Sequence, residues 1–285
     1  MRRPQDIELE EKAMATISTL TSAFEGLSSM RIAQIKDQVV ESQAFFADLW
    51  QMYSQLRVDQ LFNYGRTAEA KVIEKELFIA ITAEGGFSGD IDQRLISWML
   101  KKYDPAKHDI VIVGHHGAMQ LSQAGVSFKK YFKLPEKDAN INVAPLIGYV
   151  QQYKSTSVFY QTYISLMVQD IKQIELHAAV QAAGKKVEEG DDIISERNYI
   201  FEPSSFAVVA HLERTMLEIS LSQTILESKL AQYASRFRAM SAAKDLAQET
   251  HAHLHTEYNR AKRALNDQRL KEIISGMKLM RSRSA

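Results

Sequence analysis

Three stretches carry residue types that could do chemistry. Gly85-Gly86-Phe87-Ser88-Gly89 follows a short apolar run, the place from which a backbone loop cradles phosphate ahead of a helix. Its spacing is not G-x-G-x-x-G and no P-loop lysine follows. Asp90 and Asp92 stand where a phosphate would be repelled, so a tight strand-to-helix turn accounts for the run better than a nucleotide site. His115-His116 closes a second apolar run. His251 and His255 have the i, i+4 spacing at which two imidazoles can share a metal ion. Spacing supplies no third ligand facing them, and exposed polar residues on a helix explain the same pattern. No Ser-His-Asp set or paired carboxylates can be argued, and the absence of cysteine removes disulfides, thiolate ligands and thiol nucleophiles. The expectation is a chain with no catalytic residue, no cofactor and no metal of its own.

Glycine and proline place the elements that carry these residues. Neither occurs between Gly26 and Gly65, nor between Pro203 and Gly276. Ser204 to Ser275 therefore reads as one helix, capped by Ser204 or Ser205, and some 70 residues would extend on the order of 100 Å. Within it Leu226, Leu230, Tyr233, Phe237, Met240, Ala247, Leu254, Tyr258, Ala261 and Leu265 follow a 4-3 spacing, a coiled-coil seam interrupted by Lys244, His251, Gln268 and Glu272. Near the N-terminus Ala13, Ile17, Leu20, Phe24 and Leu27 keep the same step. Ile35, Val39, Phe46, Leu49, Tyr53 and Leu56 resume it after a stutter through Arg31. The economical partner for each stripe is the other helix, in an antiparallel coiled coil.

Between the helices the pattern changes. Glu76–Thr82, Asp109–Gly114 and Ser157–Ser165 read as strands, with Asp90–Tyr103 and Ala144–Tyr153 as helices. The fold class expected is α/β plus a long coiled coil: a small Rossmann-like parallel-sheet domain at 66–203, inserted between a shaft helix at 1–65 and a longer one at 204–285. Residues 181–197 read as a charged surface loop.

Composition bounds the partners. Among 285 residues, 35 lysines and arginines balance 35 aspartates and glutamates, so no global field draws in nucleic acid or an anionic membrane. No run approaches the roughly 18 apolar residues of a membrane span. Met1 to Lys12 is charged and lacks the apolar core of a secretory signal, which points to a protein of the cytoplasm that reaches a membrane only through partners.

Tyr199-Ile200-Phe201-Glu202-Pro203 is similar to the aromatic-acidic-proline stretch that opens the last helix of the rotary (F-type) ATP synthase gamma subunit family. Glu227, Arg236, Ala239-Met240, Ala242-Ala243, Tyr258-Asn259-Arg260-Ala261 and Glu272-Ile273-Ile274-Ser275-Gly276 resemble that family's pattern at matching spacings. Thr82–Gly89 resembles its glycine-rich turn, and Thr21 and Ala23 fall in its N-terminal helix motif. Lys262-Arg263 and Asn266-Asp267-Gln268-Arg269 depart from the usual sequence. The resemblance implies a non-catalytic central-stalk rotor subunit, coupling ion flow through a membrane ring to ATP synthesis or hydrolysis at a catalytic hexamer. It implies contacts with the alpha and beta subunits through Arg260, Lys262, Arg263, Arg269, Thr21 and Phe24. A bearing tip would comprise Ile273, Ile274, Met277 and Met280; Tyr199, Phe201 and Glu202 would meet the membrane c-ring and the epsilon subunit. The complex would hold the chain on the cytoplasmic face of the cell membrane. A gamma-like paralogue in another rotary motor, or a coiled-coil scaffold or adaptor, would share the same helices.

Overall fold

The computed structural model describes residues 2–55, 73–134, 141–178, 200, 202 and 204–283. They form two compact units, Met1–Leu27 with Arg238–Ala285, and Ser28–Phe237. In chain order the elements are α1 (Pro4–Gln55), β1 (Ile73–Ile81), α2 (Ile91–Leu100), β2 (His108–Val113), α3 (His115–Gln123), β3 (Lys130–Phe132), α4 (Ala144–Val150), β4 (Tyr153–Tyr163), β5 (Gln169–Glu175) and α5 (Ser205–Arg283). Ser204 caps α5, its Oγ accepting the Ala207 amide at 3.1 Å. The expected loop at 181–197 lies outside the described residues, as does Leu56.

The larger unit is built on a sheet of order β3-β2-β1-β4-β5. The first four strands are parallel and β5 pairs antiparallel with β4. The expected parallel sheet is therefore extended by one antiparallel edge. Side chains of a strand alternate between faces, and both faces are covered over the second half of β1, so Leu77–Ile81 reads as continuous apolar sequence. Leu77, Ile79 and Ile81 face α4, Phe46 of α1 and Met216, Leu217, Leu221 and Ile225 of α5. Phe78 and Ala80 face Leu95, Ile96 and Met99 of α2 and Leu121 of α3.

α1 and α5 run antiparallel within each unit. In the larger unit Ile35 is enclosed with Leu226 and Leu230. In the smaller unit Ile7 packs with Leu254 and Ala261, flanked by Met14 and Tyr258. The expected seam on α5 is largely the buried one: Leu226, Leu230, Met240, Ala247, Leu254 and Ala261 are all inside. On α1 the second half of the expected seam, Ile35, Val39, Phe46 and Leu49, turns inward, but the first half does not. Ile17, Leu20, Phe24 and Leu27 are exposed, Leu20 by 54%. The inward positions are Ile7, Glu11, Met14, Ser18, Thr21 and Glu25 in the smaller unit, then Ser28, Ile32, Ile35, Val39, Phe46 and Leu49 in the larger. These keep one 4-3 count, so no stutter at Arg31 is needed. The physical reason is the partner: α5 presents Lys244 and His251 there, and a polar seam position is satisfied by a polar one opposite.

Candidate functional site

In an open α/β sheet a ligand enters outside the carboxyl ends of the strands where strand order reverses, here between β1 and β4. The backbone at this edge is tightly specified. Gly114 has φ +99°, and a Cβ there would lie 2.0 Å from the Thr82 carbonyl oxygen. The Thr82 hydroxyl accepts the Gly117 amide at 2.9 Å and sits 3.1 Å from the Val113 carbonyl, to which it donates. The start of α3 is thereby held against the end of β1.

Side chains of α5 fill the crevice. Arg236 donates to the carbonyls of Gly86 and Gly85 at 3.1 and 3.2 Å, and Ser235 donates to the carbonyl of Ser88 at 2.7 Å. Carbonyl oxygens of the glycine-rich run thus point at a guanidinium, which is the reverse of a phosphate cradle. Gln161, buried at the end of β4, accepts from Ser228 and from Gln232, the latter at 3.3 Å. Its amide group donates to Asp92 Oδ1 at 2.6 Å. Asp92 Oδ2 accepts the Ala83 amide at 3.2 Å and meets His116 Nδ1 at 3.1 Å. The bond to Asp92 raises the His116 pKa above its usual value, against burial and the nearby Arg236 charge, which lower it. Glu227 accepts from Thr162, and the Tyr160 phenol, pushed up by burial and then by Glu227, stays protonated. Burial lowers the Arg236 pKa, yet a guanidinium remains charged.

The smaller unit carries polar layers. Lys244 bonds Glu25 at 2.6 Å with both side chains largely covered. That bond holds the Glu25 carboxyl below the usual carboxylate range. His255 and His251 both face Glu11, at 2.7 and 3.7 Å. Among the described residues no group of three or more metal-ligating side chains is arranged to hold an ion.

Arg260, Lys262, Arg263 and Arg269 are all exposed on α5, with Lys262 Nζ lying 5.4 Å from the Tyr258 ring centre. Phe24 is exposed. Thr21 is buried instead, its hydroxyl donating to carbonyls of its own helix, so its side chain belongs to the helix pair rather than to an outer surface. Ile273, Ile274 and Met277 are exposed near the end of α5; Met280 lies in the same helix. Glu202 is exposed, while Tyr199 and Phe201 lie outside the described residues. No described helix is long and apolar enough to cross a membrane.

The family model described as ATP synthase matches residues 4–280. The chain belongs to the ATP synthase gamma family. Its relatives include the ATP synthase gamma chain of Chlorobium phaeobacteroides (strain BS1), 25% identical over 289 residues and covering 95% of this chain and 96% of that one. That of Geobacter sp. (strain M21) is 25% identical over 270 residues, covering 90% and 91%. A chain from the cryo-EM structure of the Euglena gracilis mitochondrial ATP synthase, OSCP/F1/c-ring, superposes with a TM-score of 0.63 at 16% identity, over 97% of this chain and 95% of that one.

What the sequence pattern missed in this gamma-family fold is the polar joint at the crevice. One signal was present. Gln161 is the one amide side chain in the strand run Ser157–Ser165, and a buried amide requires partners. Which partners it has depends on α5, distant in sequence.

Proposed function

We propose that the chain is the turning central shaft of an F-type ATP synthase, itself non-catalytic, working at the cytoplasmic face of the cell membrane as a peripheral part of the complex. The observation that carries this reading is the family match along residues 4–280, which takes in both helices and the domain between them. The functional segments are a shaft helix at 1–65, the α/β domain at 66–203 and the long helix at 204–285. An asymmetric shaft makes different contacts with chemically identical catalytic subunits, so their nucleotide affinities differ, and rotation passes those differences around the hexamer.

Arg260, Lys262, Arg263 and Arg269 supply a basic band toward the alpha and beta subunits, with Phe24 on the other helix. Their exposure in the free chain supports this assignment. Thr21 acts from inside, by holding α1. Ile273, Ile274, Met277 and Met280 form the apolar bearing tip. Tyr199, Phe201 and Glu202 face the membrane c-ring and the epsilon subunit.

The test is ATP hydrolysis by the alpha and beta subunits of the same organism, purified with and without this chain. One copy joining each hexamer with sustained turnover is the expected result. A chain that neither co-purifies nor changes turnover overturns the reading.

A further inference from the structure

The non-covalent joint between the α/β domain and α5 runs through a buried carboxylate. Asp92, Gln161, Ser228 and Gln232 are all inside the larger unit, Asp92 with 2% of its surface exposed. Each bond in the chain has a fixed sense. Asp92 can only accept, so it turns the Gln161 amide group toward itself and the Gln161 carbonyl toward α5. There that carbonyl accepts from Ser228 and Gln232, and Gln232 also donates to Ser228 at 3.0 Å. The orientation of one amide on β4 thus follows from a charge on α2 and decides which groups of α5 are satisfied.

We propose that Asp92 is a positioning residue for rotary coupling: through Gln161 it keys the α/β domain to the shaft helix, and its pairing with His116 makes that joint sensitive to pH. The proposal rests on the rotor reading above. A carboxylate this deep needs compensation beyond two neutral donors, the Ala83 and Gln161 N–H groups. Arg236 contributes a permanent charge nearby, and His116 adds a directly hydrogen-bonded one when protonated. The charged and titratable groups facing His116 are Asp92 of α2, Glu84 after β1 and Arg236 of α5, with His115 beside it in sequence. Because the folded pKa of His116 is raised, its contribution is fully present below the ordinary value of 6.5 and fades as pH rises through the folded value. Above that window Asp92 keeps its acceptor role and the nearby Arg236 charge but loses the charge hydrogen-bonded to it.

Asp92→Asn is nearly isosteric and inverts the logic. An asparagine oxygen can satisfy Ala83 and His116 only if its amide group faces Gln161, which must then flip and present donors to Gln232. His116→Gln keeps a hydrogen-bonding side chain and removes the titration.

The experiment uses the assembled complex in membrane vesicles, with a voltage-sensitive dye that is indifferent to the coupling ion. It reads the rate of ATP-driven potential per ATP hydrolysed from below to above pH 6.5, and amide exchange across residues 228–236. Asp92→Asn is expected to lower the potential generated per ATP while the chain still joins the hexamer, and to speed exchange in 228–236 on the order of tenfold, since a buried donor loses its acceptor. The wild-type ratio is expected to fall as pH rises, and His116→Gln to flatten that dependence. An unchanged ratio and exchange in Asp92→Asn overturns the proposal. So does a pH profile that His116→Gln leaves intact, a result available even where Asp92→Asn does not assemble. Wild-type chain that never joins the hexamer overturns the rotor reading and this proposal together; failure of the variants alone leaves the rotor reading standing.

Discussion

Replacing Gly114 with alanine tests the edge from which the joint hangs. The residue has φ +99°, and an alanine Cβ would stand 2.0 Å from the Thr82 carbonyl oxygen and 2.6 Å from its carbon. Both neighbours are backbone, so no side chain can swing aside. Holding a side-chain-bearing residue at such a φ costs about 1–3 kcal/mol. Moving the backbone to escape the contact disturbs the bond from the Gly114 amide to the Phe132 carbonyl, 2.9 Å, and that from the Thr82 amide to the Val113 carbonyl, 2.7 Å. Each such bond contributes about 1 kcal/mol net. The sum is a loss of roughly 3–5 kcal/mol, a large part of a typical domain's stability. The assay is urea unfolding of the full chain followed by tryptophan fluorescence. Both tryptophans, Trp50 and Trp98, lie in the larger unit, so the signal reports that unit. Gly148→Ala in α4 is the control: a Cβ there meets nothing within 4 Å, and the change is expected to be neutral or to stabilise by about 0.5–1 kcal/mol. A loss below about 1 kcal/mol in Gly114→Ala would refute the steric reasoning.

Glu25→Gln is expected to weaken the acid dependence of helix melting. The depressed Glu25 pKa gives stability that is present above 4.5 and lost as pH falls through the folded value, so circular dichroism melts of wild type and variant should converge in strong acid. Ile35→Ala should cost about 2–4 kcal/mol, because the side chain is fully enclosed. Leu20→Ala should stay within about 0.5 kcal/mol by the same melts; equal losses would return the seam to the exposed stripe. Changing Lys262 and Arg263 together to alanine should lower coupled ATP turnover more than assembly with the hexamer, and unchanged turnover would remove the basic band from the contact surface.

Much of the architecture was written in local sequence. Long stretches free of glycine and proline marked the two long helices, but the helices run through two of the bounding glycines. Gly26 lies inside α1, and α5 continues past the expected end at Ser275 through Gly276 to Arg283. One glycine in a helix costs only about 1 kcal/mol. The β-branched runs set β1, β2 and β4, since a sheet covered on both faces needs apolar side chains on each. α3 escaped because His115–Gln123 carries no apolar stripe and is held by Thr82 and the Ala83 carbonyl. β5 escaped because Gln169–Glu175 is an edge strand with mixed polar residues, defined by its pairing with β4. The resemblance pointed to Arg260, Lys262, Arg263 and Arg269, which are exposed on α5, and gave no sign that Thr21 is buried.

Two features belong to tertiary structure alone. On α1 two stripes satisfy a 4-3 step, one apolar and one mixed, and polar partners on α5 go with the mixed one turned inward: Glu25 meets Lys244, and Glu11 meets the two histidines. At the crevice, Asp92 is a charge beside a glycine-rich turn in sequence. It becomes a keystone only when β4, α3 and α5, far apart along the chain, bring Gln161, His116 and Ser228 to one place. A local pattern fixes periodicity and propensity; it cannot say which polar group across the interface will complete a hydrogen bond, because that group's position is a product of the fold.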